Sequence, residues 1–329
     1  MTDIGSRDYS PFHTGEQDVQ RRVGVRDQAE LLGRQMIRPA MPDQHREFFA
    51  GLNYVFVAIA GEYGRPNATV VCGEPGFVRA PDATRLLLKV SGASSDPALE
   101  ALRPGIAVGV LGLDLASRRR NRVNGVVSAV CPQDQYLVLE IAVRESFGNC
   151  PKYIQRRQLV ASADTRQGEE RAFTVPESTF VAGTLIEPAR TLINGADTFF
   201  IASQIGAGGQ QNITTTRPGI SADMSHRGGP SGFVRIVAAD ELLFPDYAGN
   251  RLFNTLGNLH GNKSVALLFI DFDTGNLLHL SGDAEILWNM PEQQQFPGAE
   301  RLVHFRVDSM MWRPGAVPLR WRRVDKGVV

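Results

Sequence analysis

Short apolar runs alternate with turn residues along most of the chain. Residues 54–59, 86–90, 106–111 and 136–143 are apolar stretches bounded by Gly, Pro, Asn and Asp, the pattern of strands separated by turns. A second series, 198–202, 233–237, 265–269 and 277–280, repeats it. Asp273-Thr274-Gly275-Asn276 stands before the last of these as a hairpin signal, because glycine readily takes positive φ. Helical periodicity is sparse. Leu31, Leu32 and Met36 predict a helix over 27–37, and Pro42 before Asp43 opens a second one. Leu252, Leu256 and Leu259, at i, i+4 and i+7, predict a third over 249–259. Many short strands and few helices predict a mainly β chain of small antiparallel barrels.

The two series are copies of one unit. Ala68-Thr69-Val70-Val71-Cys72 leads to Gly76-Phe77-Val78-Arg79, and Ala222-Asp223-Met224-Ser225-His226 leads to Gly232-Phe233-Val234-Arg235. Leu111, Asp114 and Gly125 then recur as Leu268, Asp271 and Gly282, each offset by 157 (271 − 114). A duplicated unit decides architecture before any single element does. We therefore expect two tandem barrels, a covalent pseudo-dimer. The expected divisions are a helical extension over 1–42, a first barrel over 43–158, a linker over 159–186, a second barrel over 187–310 and a tail over 311–329.

Composition narrows the function. Lys+Arg and Asp+Glu balance at 35 each, so the chain lacks the basic surplus that non-specific nucleic-acid binding needs. No apolar run approaches the 18 or so residues of a membrane span, and the start has no apolar leader core. Three scattered cysteines, without a C-x-x-C pair, give neither a disulfide framework nor a metal site. A cytoplasmic protein acting on a small-molecule substrate or electron donor is the expectation, with no nucleic-acid or membrane partner. The glycine run at 206–211 fails the dinucleotide fingerprint, since Gln211 occupies its third glycine position.

The copies differ where chemistry is expected. A pair of like barrels offers two equivalent clefts, but the second copy has Ser225, His226 and Arg227 where the first has apolar groups, Cys72 and Glu74. Hydroxyl and guanidinium are phosphate-binding types. Downstream, Asp246, Asn250 and Arg251 precede the third predicted helix, whose N-terminus adds backbone N–H donors. Only one cleft is expected to hold an anion.

Several of these motifs resemble one family. Ser225-His226-Arg227-Gly228-Gly229, Asp246-Tyr247-Ala248-Gly249-Asn250, Leu256-Gly257-Asn258-Leu259 and Leu280-Ser281-Gly282-Asp283 are similar to the FMN-binding split-barrel proteins related to pyridoxamine 5′-phosphate oxidase. Asn121-Arg122-Val123-Asn124-Gly125 and Phe147-Gly148-Asn149-Cys150-Pro151-Lys152-Tyr153 resemble a two-barrel branch of it. The resemblance implies FMN between two barrels. It implies a phosphate held by Ser225, Arg227, Asn250 and Arg251 beside His226, Asp246 and Asn254, with ring-side contacts from Asn149, Lys152, Tyr153 and Arg120 of the first half. The oxidase's own substrate-phosphate set is not found in the chain, so vitamin B6 oxidation does not carry over.

Two functions follow from that resemblance. One is an FMN-dependent oxidoreductase with hydride transfer through flavin N5 and no residue assigned as catalytic acid or base. The other is a non-catalytic module that holds a flavin, a deazaflavin or haem for carriage or sensing. Association into a homodimer stays open.

Overall fold

The computed structural model describes residues 9–91, 96–160, 178–205 and 221–324. The glycine run at 206–211 and residues 161–177 of the expected linker lie outside the described residues.

The chain is mainly β. One antiparallel sheet contains β1 (Tyr54–Ile59), β2 (Asn67–Cys72), β3 (Val78–Asp82), β4 (Arg85–Ser91), β5 (Ala107–Asp114), β6 (Arg119–Gln133) and β7 (Tyr136–Gly148), in the order β2-β1-β5-β6-β7-β4-β3. Two short strands, β8 (Arg157–Leu159) and β9 (Thr179–Ala182), follow. A second antiparallel sheet contains β10 (Thr198–Gln204), β11 (Ala222–Gly228), β12 (Arg235–Ile236), β13 (Glu241–Tyr247), β14 (Ser264–Ile270), β15 (Leu277–Leu287) and β16 (Ala299–Arg313). Its order is β11-β10-β14-β15-β16-β13-β12, with β9 added beside β16. Replacing each strand of the first order by its counterpart in chain order gives the second. Finally, β17 (Trp321–Arg323) pairs with β8 and ties the chain's end to the end of the first half.

The unbroken apolar runs have a packing reason. Successive strand residues face opposite ways, and here both faces are covered. Val55, Val57 and Ile59 of β1 enter the first sheet's core, while Tyr54, Phe56 and Ala58 face the second sheet. Phe199 and Ile201 of β10 likewise enter their own core, while Phe200 and Ala202 face the first sheet. Phe56 and Phe200 stack at the join, with ring centroids 3.5 Å apart and planes 16° from parallel.

Among the described residues six α-helices surround the sheets. α1 (Thr14–Arg22) and α2 (Arg26–Met36) precede the first sheet, followed by α3 (Asp43–Ala50) and the short α4 (Pro97–Glu100). α5 (Glu187–Gly195) and α6 (Asn254–Gly261) belong to the second half. The helices expected at 27–37 and from Asp43 are present within a residue of their positions. The helix expected over 249–259 is not: it begins at Asn254, because Arg251 and Phe253 take positive φ of 62° and 61°. Leu252, between them, is fully buried beside Phe12, Ala29, Ile37 and Phe147 rather than continuing a helical face. The apolar pattern also missed α1, α4 and α5, the strands β2, β3, β6, β11, β13 and β16 and the short β8, β9 and β17, and the strand expected over 233–237 shrinks to Arg235–Ile236. No helix is long and apolar enough to cross a membrane among the described residues.

Candidate functional site

Two strands face each other across the join of the halves, each carrying polar residues at alternate positions. On β6 these are Arg120, Arg122 and Asn124; on β11 they are Asp223, Ser225 and Arg227. Alternation places each trio on one face of its strand. Arg122 donates to Asp223 Oδ1 at 3.2 Å and to Ser225 Oγ at 2.5 Å, and Asn124 donates to Asp223 Oδ1 at 2.6 Å. Thr255, in the first turn of α6, joins Ser225 at 3.0 Å. Asn258 donates to the second Asp223 oxygen at 3.0 Å, and Arg122 reaches Asn254 Oδ1 at 3.4 Å. This buried layer is the floor of a cleft.

All eleven residues expected at a cofactor site line that cleft: Arg120, Asn149, Lys152, Tyr153, Ser225, His226, Arg227, Asp246, Asn250, Arg251 and Asn254. They reach it in different roles. Asp246 is an arginine holder, 2.5 Å from Arg227 Nη1 and 3.0 Å from Arg301 Nε. Asn254 is buried and donates to Glu16 Oε1 of α1 at 2.5 Å. Asn250 donates to Asn149 Oδ1 at 2.7 Å, closing the rim between the halves. Arg251 is exposed and reaches Gln28 of α2 at 3.3 Å. Lys152 is exposed, and Tyr153 stacks on Tyr247 with centroids 5.1 Å apart. The segment carrying Tyr153 lies directly on Gly228, where an added Cβ would sit 2.1 Å from the Tyr153 carbonyl oxygen.

The cleft is electropositive and rich in free donors. Arg120 is pushed down to about 10 by burial and by Arg122 and Arg227 nearby. His226 is held well below the ordinary histidine range by burial and by Arg120, Arg227 and Arg157, so its ring is neutral. Its Nδ1 lies 3.4 Å from Arg120 Nη1 and accepts there, which places the ring proton on Nε2. Among the described residues that Nε2 has no partner, and neither do Arg120 Nε, Arg122 Nε, Arg227 Nε or Asn149 Nδ2. All five are nitrogen donors. The first turn of α6 adds Asn254, Thr255 and Leu256 to the lining, and its N-cap residue Phe253 supplies no side-chain hydrogen bond. Such a lining suits a ligand rich in acceptors, with an anionic end at the helix start. The expectation of a helix N-terminus here holds, five residues later than the apolar spacing placed it.

The counterpart position between the halves carries different residues. Strand register places Leu277 where Arg120 stands, since Leu113 pairs with Arg120 and Ile270 with Leu277. His279 takes the place of Arg122 and approaches the Ala68 carbonyl at 3.0 Å. Thr69 bonds to Asp96, which Arg313 also holds at 2.8 Å.

Arg122, Asn124, Asp223 and Thr255 were not among the expected site residues. The signal for three of them was present as alternation, Arg-x-Arg-x-Asn at 120–124 and Asp-x-Ser-x-Arg at 223–227. Thr255 had none, because its place depends on where α6 starts.

No family model and no curated protein matches the chain. Among solved structures, a putative pyridoxamine 5′-phosphate oxidase of Lactobacillus delbrueckii aligns at 16% identity over 39% of this chain and 93% of that one, with a TM-score of 0.28. A FAD-binding protein of Mesorhizobium loti aligns at 10% identity over 42% and 97%, with a TM-score of 0.28. The HupZ protein of Group A Streptococcus aligns at 16% identity over 39% and 98%, with a TM-score of 0.27. Each alignment covers about two fifths of this chain, at a score too low to establish a shared fold.

Proposed function

We propose that this chain is an FMN-binding oxidoreductase of the pyridoxamine 5′-phosphate oxidase-like type, built as two tandem split barrels over 43–158 and 187–310. The observation that carries the reading is the set of five orphaned nitrogen donors around one cleft, all on residues that line it. Buried donors without partners call for an acceptor-bearing ligand. The shared strand order of the two sheets supports the duplication, and the different residues at the counterpart position, where Leu277 and His279 replace Arg120 and Arg122, support one ligand per chain.

The residues fit FMN in two groups. Arg227, steadied by Asp246, Ser225 and the first turn of α6 would hold the phosphate. Ser225 Oγ already accepts from Arg122, which leaves its own proton for a phosphate oxygen. Arg120, His226 Nε2 and Asn149 Nδ2 would face ring oxygens and nitrogens, with the Tyr153–Tyr247 pair as an aromatic wall. When bound, FMN supplies a ring that takes a hydride at N5 and passes the electrons on. The protein binds and orients it and withholds bulk water from the floor of the cleft.

Both carboxylates that line the cleft, Asp246 and Glu300, are paired with arginines. That pairing leaves no free carboxylate base among the described residues of the lining and favours, as a second reading, carriage or sensing by the same cleft. Haem in this role would need His226 Nε2 without its proton, against the tautomer that Arg120 imposes. The test is an absorption spectrum after FMN addition and desalting, repeated on the Arg120→Gln, Arg227→Gln double variant. Flavin bands retained by the wild type and lost by a folded double variant are expected. Equal retention by both overturns the site, and a bound flavin that NADH and NADPH never reduce selects the second reading.

A further inference from the structure

A second hollow opens on the first half beside the candidate flavin cleft and shares Arg120 and Asn149 with it. Its wall includes Arg38, Gln44, His45, Arg118 and Arg119, so four arginines line it with Arg120, and among the described residues no carboxylate does. The elements explain the gathering. Arg38 follows α2 and forms an isolated bridge with Ser146 of β7. Arg118 sits at the tip of the β5–β6 hairpin with φ 60°, and Arg119 opens β6 with its guanidinium 5.1 Å from the Phe48 ring centre.

Arg38, Arg118 and Arg119 have no ion-pair partner among the described residues. Other described arginines are ion-paired, as Arg26 is with Glu30, Arg85 with Asp82 and Arg313 with Asp96. The nearby carboxylates are already engaged: Asp114 accepts from Ala116, Ser117 and the Ser117 hydroxyl, and Asp43 holds Arg46. In the wall, His45 is 7% exposed and lies 2.7 Å from Ser146 Oγ through Nδ1, while its Nε2 has no protein partner among the described residues. Burial, Arg38 and Arg119 together keep this ring neutral below the usual histidine range.

The formal charge of the whole chain is zero, so the excess is local. Guanidinium forks match the paired oxygens of carboxylates and phosphates, and a concave wall of one sign concentrates its field. We infer that this hollow binds the anionic end of the substrate or electron donor, a small molecule bearing a phosphate or several carboxylates, whose other end reaches the flavin cleft past Arg120 and Asn149. The reach to the flavin rests on the proposed function; the anion site does not.

Calorimetric titration with pyrophosphate and with citrate, each at low salt and with or without saturating FMN, tests it. One of the two anions should bind at one equivalent in the presence of FMN, and which one does so separates a phosphate from a polycarboxylate ligand. The Arg38→Gln, Arg118→Gln double variant should bind it at least tenfold more weakly, with FMN affinity within twofold and an unchanged melting temperature. Arg118→Gln alone, at an exposed hairpin tip, gives the same direction if the double variant folds poorly. Absence of anion binding in the wild type, binding that survives these substitutions, or binding that FMN displaces overturns the inference. A chain that takes no FMN yet binds the anion through Arg38 and Arg118 overturns the flavin reading and leaves this site standing.

Discussion

Asp246 shows how a residue's neighbours decide its role. As a carboxylate it would repel a phosphate, yet it lines the candidate phosphate end of the cleft because Arg227 and the buried Arg301 both lean on it. Its expected effect is on stability first and binding second. Asp246→Ala leaves Arg301, 2% exposed, with Glu300 as its one ion-pair partner among the described residues, and breaking such a buried pair costs about 3–5 kcal/mol. Urea unfolding measures this directly; a loss under about 1 kcal/mol would mean that Arg301 is held by Glu300 alone. Arg227 was legible as an anion-binding type from the contrast between the repeats. Its support by Asp246 was not, because the two lie 19 positions apart and meet only through the sheet.

At the scale of elements, apolar runs found the strands that are buried on both faces. They missed those whose polar residues point into the cleft: β11 carries Asp223, Ser225, His226 and Arg227, so its binding side chains hide it from an apolar pattern. The start of α6 was displaced for the opposite reason, since Leu252 fits a helical spacing but belongs to a separate cluster under α1 and α2. α1 was missed because its buried face is polar. His13 and Glu16 cap it reciprocally, and His13 Nε2 lies 2.9 Å from Asn258 Oδ1 of α6. Two glycines let these helices touch: a Cβ on Gly257 would stand 2.4 Å from Glu16 Cγ and 2.5 Å from Glu16 Cα. Gly257→Ala should therefore lift α1 off α6 and destabilise the fold by about 1–3 kcal/mol, the usual range for overpacking. Faster proteolysis near residue 20, with the rest of the chain intact, is the expected readout. Unchanged cleavage would show that α1 accommodates the methyl group in place.

Across the whole molecule, buried polar groups concentrate at the join of the two sheets, and three histidines there or nearby share one electrostatic condition. His226 is depressed by burial and by Arg120, Arg227 and Arg157; His45 by burial, Arg38 and Arg119; His279 by burial and Arg313, against the pull of Asp96. Unfolding releases all three to an ordinary pKa of about 6.5. Below that pH the unfolded chain binds protons that the folded chain refuses, so stability is fully present above about 6.5 and falls as the medium acidifies. Each histidine contributes a slope approaching about 1.4 kcal/mol per pH unit until its folded pKa is reached. Melting temperature should accordingly drop between pH 7 and pH 5, before most carboxylates protonate. His226→Gln should flatten that drop, because glutamine has no proton to take up on unfolding. Because the ring lines the candidate cleft, FMN bound there as proposed would stabilise the folded chain, and saturating FMN should then raise the melting temperature at both ends of this range. A profile without slope between pH 7 and pH 5 would mean that the three rings are protonated equally in both states, and would overturn the downward shifts argued from their burial beside arginines.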